Sequence, residues 1–118
     1  MLDLEVCYYI NMVSFEDFEK LEIKIGKVVS VEKVEDTDRL LKFVFSFGEE
    51  QRQIISGIAT YFPEPSILVG KQMPVLVNLE PRTIRGQESQ GMILSIVLED
   101  KVVLLNPEDE VPDGSTIR

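Results

Sequence analysis

The sequence predicts a small all-β domain closed into a barrel, and three observations carry that prediction. Apolar residues recur with a period of two in several short runs, as strands with one buried face require. Glycines, prolines and acidic clusters separate those runs. One glycine, Gly26, interrupts the longest run, where a strand that coils around a barrel is expected to bulge or bend.

The elements follow in chain order. Ser14 is a favourable N-cap, Glu16 and Asp17 suit the positive end of a helix dipole, and Phe15 and Phe18 share a face, so a short helix is predicted over 14–20. The residues before it read as an addition ahead of a second methionine, Met12, and residues 1–13 are assigned to an N-terminal extension. From Leu21 the period changes to two. Leu21, Ile23, Ile25, Val29 and Val31 point one way in a first strand, with the alternation broken at Lys27 and Val28. Glu35 to Asp38 make a polar turn. Leu41, Phe43, Phe45 and Phe47 alternate in a second strand, Gly48 to Glu50 turn, and Gln51 to Ser56 form a third. Ile58 to Phe62 fit a helical turn or two, ended by Pro63 and Pro65. Met73 to Leu79 give a fourth strand, a loop follows, and Gly91 to Leu98 give a fifth, turning at Glu99-Asp100 into Lys101 to Leu105. The proline- and acid-rich end is expected to run over the surface.

Five strands, a short helical insert after the third, and extra terminal segments describe an OB fold, a small five-stranded Greek-key barrel that commonly binds oligonucleotides. A different small barrel or a sandwich fits the same strands. The length of 118 residues suits one domain, assigned to 14–118 with a C-terminal extension.

Composition narrows the function. The chain has no histidine and one cysteine, Cys7, which excludes an internal disulfide and a Cys/His zinc arrangement. The usual general base near neutral pH is absent as well. The Asp36/Asp38 pair lacks further ligands spaced to converge on a metal. With no phosphate-cradling glycine loop and no nucleophile–base motif, no catalysis, metal or cofactor is expected. No apolar run is long enough to span a bilayer, and the opening LDLEVCYYINMV lacks the features of a signal peptide, so a cytoplasmic address is expected. The formal charge is −9, but unevenly spread. Residues 1–19 carry five acids and no base, and residues 86–118 seven acids and two bases. The middle holds ten bases against nine acids and is free to build a basic face.

The densest polar cluster is NLEPRTIRGQESQGMIL, residues 78–94. Arg82 and Arg85 offer forked donors for phosphate and planes that stack on bases. Asn78 and Gln90 suit base edges or ribose, Ser89 a phosphate oxygen, and Met92 an apolar contact to a base. Residue chemistry alone leaves open solvated ion pairs of the two arginines with Glu80 and Glu88. A second patch gathers Lys33, Arg39 and Lys42 around a turn that also carries Glu35, Asp36 and Asp38; it reads equally as an ordinary charged hairpin.

From Phe15 onward the chain resembles the tRNA-binding domain found as a small stand-alone protein and as the C-terminal appendage of methionyl-tRNA synthetases. The resemblance rests on short anchors in one order: Phe15-Glu-Asp-Phe18, Gly26-Lys-Val28, Lys33-Val34-Glu35, Leu40-Leu41-Lys42, Ile55-Ser-Gly-Ile-Ala59, Leu68-Val-Gly-Lys71, Asn78-Leu79, Pro81-Arg82, Gly86, Glu88-Ser89, Gly91-Met-Ile-Leu94, Val111-Pro112 and Gly114. It implies an OB barrel that binds tRNA by shape, without catalysis. The family's basic turn position falls on Arg39, a lysine in close relatives; its other binding positions fall on Asn78, Arg82, Ser89 and Met92. Arg85 stands where relatives often carry an apolar or aromatic residue. The implied site is thus Arg39, Lys42, Asn78, Arg82, Arg85, Ser89 and Met92. Implied partners are tRNA, a second copy in a homodimer, and an aminoacyl-tRNA synthetase, with no membrane. Val6-Cys-Tyr-Tyr-Ile10 and the C-terminal strand are candidate dimer surface. The alternative is a dimeric, chaperone-like OB protein that binds peptides.

Overall fold

The computed structural model describes residues 11–118. Expectations that rest on residues 1–10, including the Val6 to Ile10 dimer surface and the setting of Cys7, lie outside the described residues.

The fold is all-β, with little helix. Helix α1 (Phe15–Glu19) is capped by Ser14, whose Oγ accepts from the Asp17 N–H at 3.0 Å. The strands are β1 (Ile23–Lys33), β2 (Leu41–Ser46), β3 (Gln51–Ser56), β4 (Gln72–Leu76), β5 (Arg82–Ile84), β6 (Gln87–Ser89), β7 (Met92–Ile93), β8 (Ser95–Val97), β9 (Val102–Leu104) and β10 (Thr116–Ile117). The main sheet runs β3-β2-β1-β4-β7, with β10 also on β1, and every pairing is antiparallel. Hairpins β5–β6 and β8–β9 stand apart from it.

Strand β1 organises the curl. Its first half, Ile23 to Lys27, pairs with β4, and its second half, Lys27 to Lys33, with β2. The register slips between Val28 and Ser30, so the bulge falls beyond Gly26. Gly26 instead admits a neighbour: a Cβ there would lie 2.7 Å from the Phe47 ring. The sheet curls into a half-barrel whose edges meet through the Gln90 N–H, which donates to the Gln53 carbonyl at 2.8 Å.

The core follows the sequence pattern most closely in β2, where Leu41, Phe43 and Phe45 are buried and Lys42, Val44 and Ser46 are not. The rings of Phe43 and Phe45 stack 5.4 Å apart. Ile54, Leu68, Met73 and Val75 are fully buried beside them, each worth about 1.5–3 kcal/mol by transfer.

Elsewhere the elements differ from expectation. After β3, where a helical turn or two is expected, come two short 3-10 turns, Ala59–Tyr61 and Pro65–Leu68; Pro63 and Pro65 lack the N–H groups a continuing helix needs. Strand β4 stops at Leu76, and the expected loop beyond it contains the β5–β6 hairpin. The expected fifth strand is split at Leu94, whose N–H donates to the Pro74 carbonyl at 3.0 Å in line with the β4 ladder; Pro74 has no N–H to return the bond, so the pairing ends there. The tail does cross the surface, but it returns as β10. Gly114 N–H donates to Ile25 O at 2.7 Å, and Ile25 N–H donates to Ser115 O at 2.8 Å. The buried Gln72 holds the tail too, donating through Nε2 to Val111 O and Asp113 Oδ1 and accepting from Val111 N–H. On the surface, the Lys27 ammonium reaches Glu110 Oε1 at 2.9 Å. That hydrogen bond, then the charges of Glu110 and Asp113, hold Lys27 above its ordinary pKa.

Helix α1 buries no residue. Phe15 and Phe18 instead border an open groove with Leu21, Thr116 and Ile117.

Candidate functional site

The chain leaves the sheet at Val77 and re-enters it at Gly91, and the residues between form an arm whose outer part is β5–β6. Arg85 (φ 52°) and Gly86 (φ 79°) are both left-handed, the backbone a two-residue hairpin turn requires. Arg82 pairs with Ser89 and Ile84 with Gln87 across the hairpin.

The arm tip and the β1–β2 turn face each other. Arg85 and Gln87 share a cleft of about 380 Å³ with Glu32, Lys33, Val34, Glu35, Asp36 and Lys42. Three cations and three acids line it, and Lys42 is already engaged by Glu32 at 3.1 Å. The cleft is therefore an alternating polar surface more than a bare basic patch. Arg82, Arg85 and Arg39 are exposed, and among the described residues none forms a side-chain hydrogen bond or ion pair. The ion pairs with Glu80 and Glu88 that the sequence left open are not made. Arg39 nonetheless has a fixed backbone: its N–H donates to Thr37 Oγ1 at 3.1 Å, and its carbonyl accepts from Ala59 N–H at 3.0 Å.

A row of pairings links the two patches. Lys42 lies opposite Ile55 on β3. The Ile55 N–H donates to Ser89 Oγ at 3.0 Å, and Ser89 lies opposite Arg82. The structure thus brings Lys42 and Arg85 to one cleft and ties Arg82 to the same edge. Arg39 and Met92 are not among the residues lining that cleft; Met92 is 45% exposed on β7, opposite Leu76.

Two expected site residues have other employment. Ser89 is 4% exposed, and its hydroxyl accepts from Ile55 N–H and donates to Gly91 O at 3.1 Å. Asn78 turns toward α1: its Oδ1 accepts from Glu22 N–H at 2.9 Å and its Nδ2 donates to Lys20 O at 2.7 Å. Gln90 likewise pairs through its backbone N–H and its Oε1 with the backbone of Gln53.

Sequence reasoning passed over Arg52 and Gln53. Arg52 Nη1 donates to Val77 O at 2.5 Å and to Gln90 O at 3.3 Å, and its Nε reaches Glu50 at 3.2 Å. Gln53 Nε2 donates to Glu88 O at 2.9 Å. The available signal was the polar run Gln51-Arg52-Gln53 inside a strand, which marks a sheet edge served by something other than a neighbouring strand. Among the described residues no three His, Cys, Asp or Glu side chains converge to hold a metal, and no helix is long and apolar enough to cross a membrane.

Comparison with known proteins adds independent findings. A family profile described as "Putative tRNA binding domain" matches residues 23–116. A methionine–tRNA ligase from Archaeoglobus fulgidus is 49% identical over 106 residues, which cover 89% of this chain and 16% of the ligase. The chain spans less than a fifth of the length of the curated ligases it matches. Among solved structures, a MetRS-related protein from Pyrococcus horikoshii superposes with a TM-score of 0.86 at 38% identity, covering 92% of this chain and 99% of that one. The chaperone CsaA from Bacillus anthracis gives 0.81 at 32% identity, covering 91% and 99%.

Proposed function

The chain belongs to the tRNA-binding domain family, and from that membership we propose that it binds tRNA by shape, without catalysis, as an OB barrel acting alone or as an accessory to an aminoacyl-tRNA synthetase in the cytoplasm. The observation that carries the reading is the pair of facing elements. The β1–β2 turn and the β5–β6 arm present Arg39, Arg82 and Arg85 unpaired, on backbones held by hydrogen bonds. Free guanidinium groups at fixed positions suit phosphates at fixed positions, which a folded RNA offers and a flexible one does not. Lys42 adds charge at the cleft and Met92 an apolar contact. Ser89 and Asn78 serve the site by holding the arm rather than by touching RNA. Residues 14–118 act as the binding domain and 1–13 as its extension.

The test is filter binding of folded tRNA against an unstructured RNA of equal length. Several tRNAs of different acceptor identity should bind with similar affinity and exceed the unstructured RNA. A sharp preference for one tRNA would end recognition by shape.

A homodimer is part of the proposal. Phe15 is 73% exposed, Phe18 38% and Ile117 36%, all around one groove, an apolar exposure that a second copy would cover. Light scattering should report twice the 13.4 kDa chain mass, and Phe15→Glu with Phe18→Glu should return the single-chain mass. The resemblance to CsaA keeps a second reading in view, a dimeric peptide binder. Peptide binding on apolar surface would be insensitive to salt, whereas tRNA binding should weaken steeply as salt rises.

A further inference from the structure

The arm joins the barrel through a narrow neck, and one side chain straddles it. Val77 is the last residue before the arm and Gln90 the last within it. Arg52 Nη1 donates to the carbonyls of both, at 2.5 and 3.3 Å. The next residue, Gln53, holds the returning strand along its length. Its N–H donates to Gln90 Oε1 at 3.0 Å, its carbonyl accepts from Gln90 N–H at 2.8 Å, and its Nε2 donates to Glu88 O at 2.9 Å. Beyond Asn78 at its base, Ser89 and these two residues, little fixes the outer part of the arm. Thr83 and Glu88 are exposed, Ile84 is only half-buried, and β5 and β6 pair with each other alone. A hairpin of two three-residue strands has marginal stability in water by itself, so its angle must come from its root.

We propose that Arg52 and Gln53 are positioning residues that set the angle of the arm and thereby make the site selective for folded over unstructured RNA. The inference rests on the proposed reading of the arm as RNA-binding. A loosened arm spends only part of its time in the pose that matches a rigid RNA, and apparent affinity falls by that fraction. A flexible RNA adapts to whatever pose the arm holds and loses less. The clamp is thus expected to act on discrimination more than on binding as such. Glu50 accepts from Arg52 Nε at 3.2 Å and not from the Nη1 that makes the neck bonds, and is the natural control.

Arg52→Met and Gln53→Leu keep the bulk of each side chain and remove its donors. Backbone amide exchange over residues 82–90 should quicken about tenfold, the worth of one charge-assisted hydrogen bond, while amides of β1 and β2 hold their rates. The ratio of affinity for folded tRNA to that for an unstructured RNA of equal length should fall by a similar factor. Glu50→Gln should change neither. Equal loss for both RNAs would show a direct contact or general damage, and unchanged exchange in the arm would show that the neck needs no clamp; either overturns the proposal. Should Arg52→Met unfold, Arg52→Lys, which keeps charge and loses the fork, supplies the same comparison. Amide exchange is read without RNA, so a wild-type chain that fails to prefer tRNA would refute the proposed function and leave the clamp separately tested.

Discussion

Gly70 and Gly114 share nearly the same left-handed φ, 88° and 89°, in different surroundings. A Cβ on Gly70 would meet nothing within 4 Å, whereas one on Gly114 would collide with the Phe47 carbonyl oxygen and lie 3.1 Å from its carbon. Alanine at either position bears the left-handed strain of about 1–2 kcal/mol, partly offset by the smaller entropy of the unfolded chain. Gly70→Ala should therefore cost about 1 kcal/mol net. At Gly114 the tail must also leave its seat. That breaks the bonds from Gly114 N–H to Ile25 O and from Ile25 N–H to Ser115 O, for about 1 kcal/mol each. Gly114→Ala should thus cost about 3 kcal/mol. For a domain of this size the melting temperature should drop by about 4 °C for Gly70→Ala and about 12 °C for Gly114→Ala. Urea denaturation of the two variants beside wild type measures the difference directly. Equal losses would refute the reasoning, because the seat of the tail against Phe47 would then contribute nothing.

Three other outcomes are expected. Arg82→Ala and Arg39→Ala should each weaken tRNA binding by about 1–3 kcal/mol, the scale of a specific contact, while Lys101→Ala, in the β8–β9 turn, should leave filter binding unchanged. Ser89→Ala strips the Ile55 N–H of its acceptor in a buried place and should lower stability by about 1–3 kcal/mol in denaturant. Lys27 has a folded pKa raised above 10.5 by Glu110, so its contribution is present in full below that value and fades as pH climbs through the higher folded one. Wild type should lose slightly more stability than Lys27→Met in titrations above pH 10.5, a small effect because the pair is exposed.

The parts of the fold that bury one face were legible in the sequence. Leu41, Phe43 and Phe45 alternate with polar or smaller residues because the pleat sends them to opposite sides, and Gln51–Ser56 was bounded by turn residues at both ends. The β5–β6 hairpin was not legible as strands, since Arg82-Thr83-Ile84 and Gln87-Glu88-Ser89 bury almost no face and so carry no periodicity. Nor could β10 be read from Thr116-Ile117, whose partner lies at the other end of the chain. In the candidate site, the sequence located two arginines on one segment, and the structure shows both exposed there. The sequence could not separate a polar side chain offered to a ligand from one spent on backbone, and Ser89 and Asn78 are spent on backbone.

The pairing of Ile23 with Ile117 has a consequence for how the protein is made. Synthesis runs from the N-terminus, so the edge of β1 that β10 will occupy is finished long before β10 exists. Until residues 114–117 emerge, Ile23 and Ile25 present bare N–H and C=O groups on that edge, next to apolar side chains that have not yet found cover. Contacts of such long sequence separation also form slowly. The nascent chain is therefore open to pairing with the wrong strand until β10 is made, and a chaperone would protect it most in that interval.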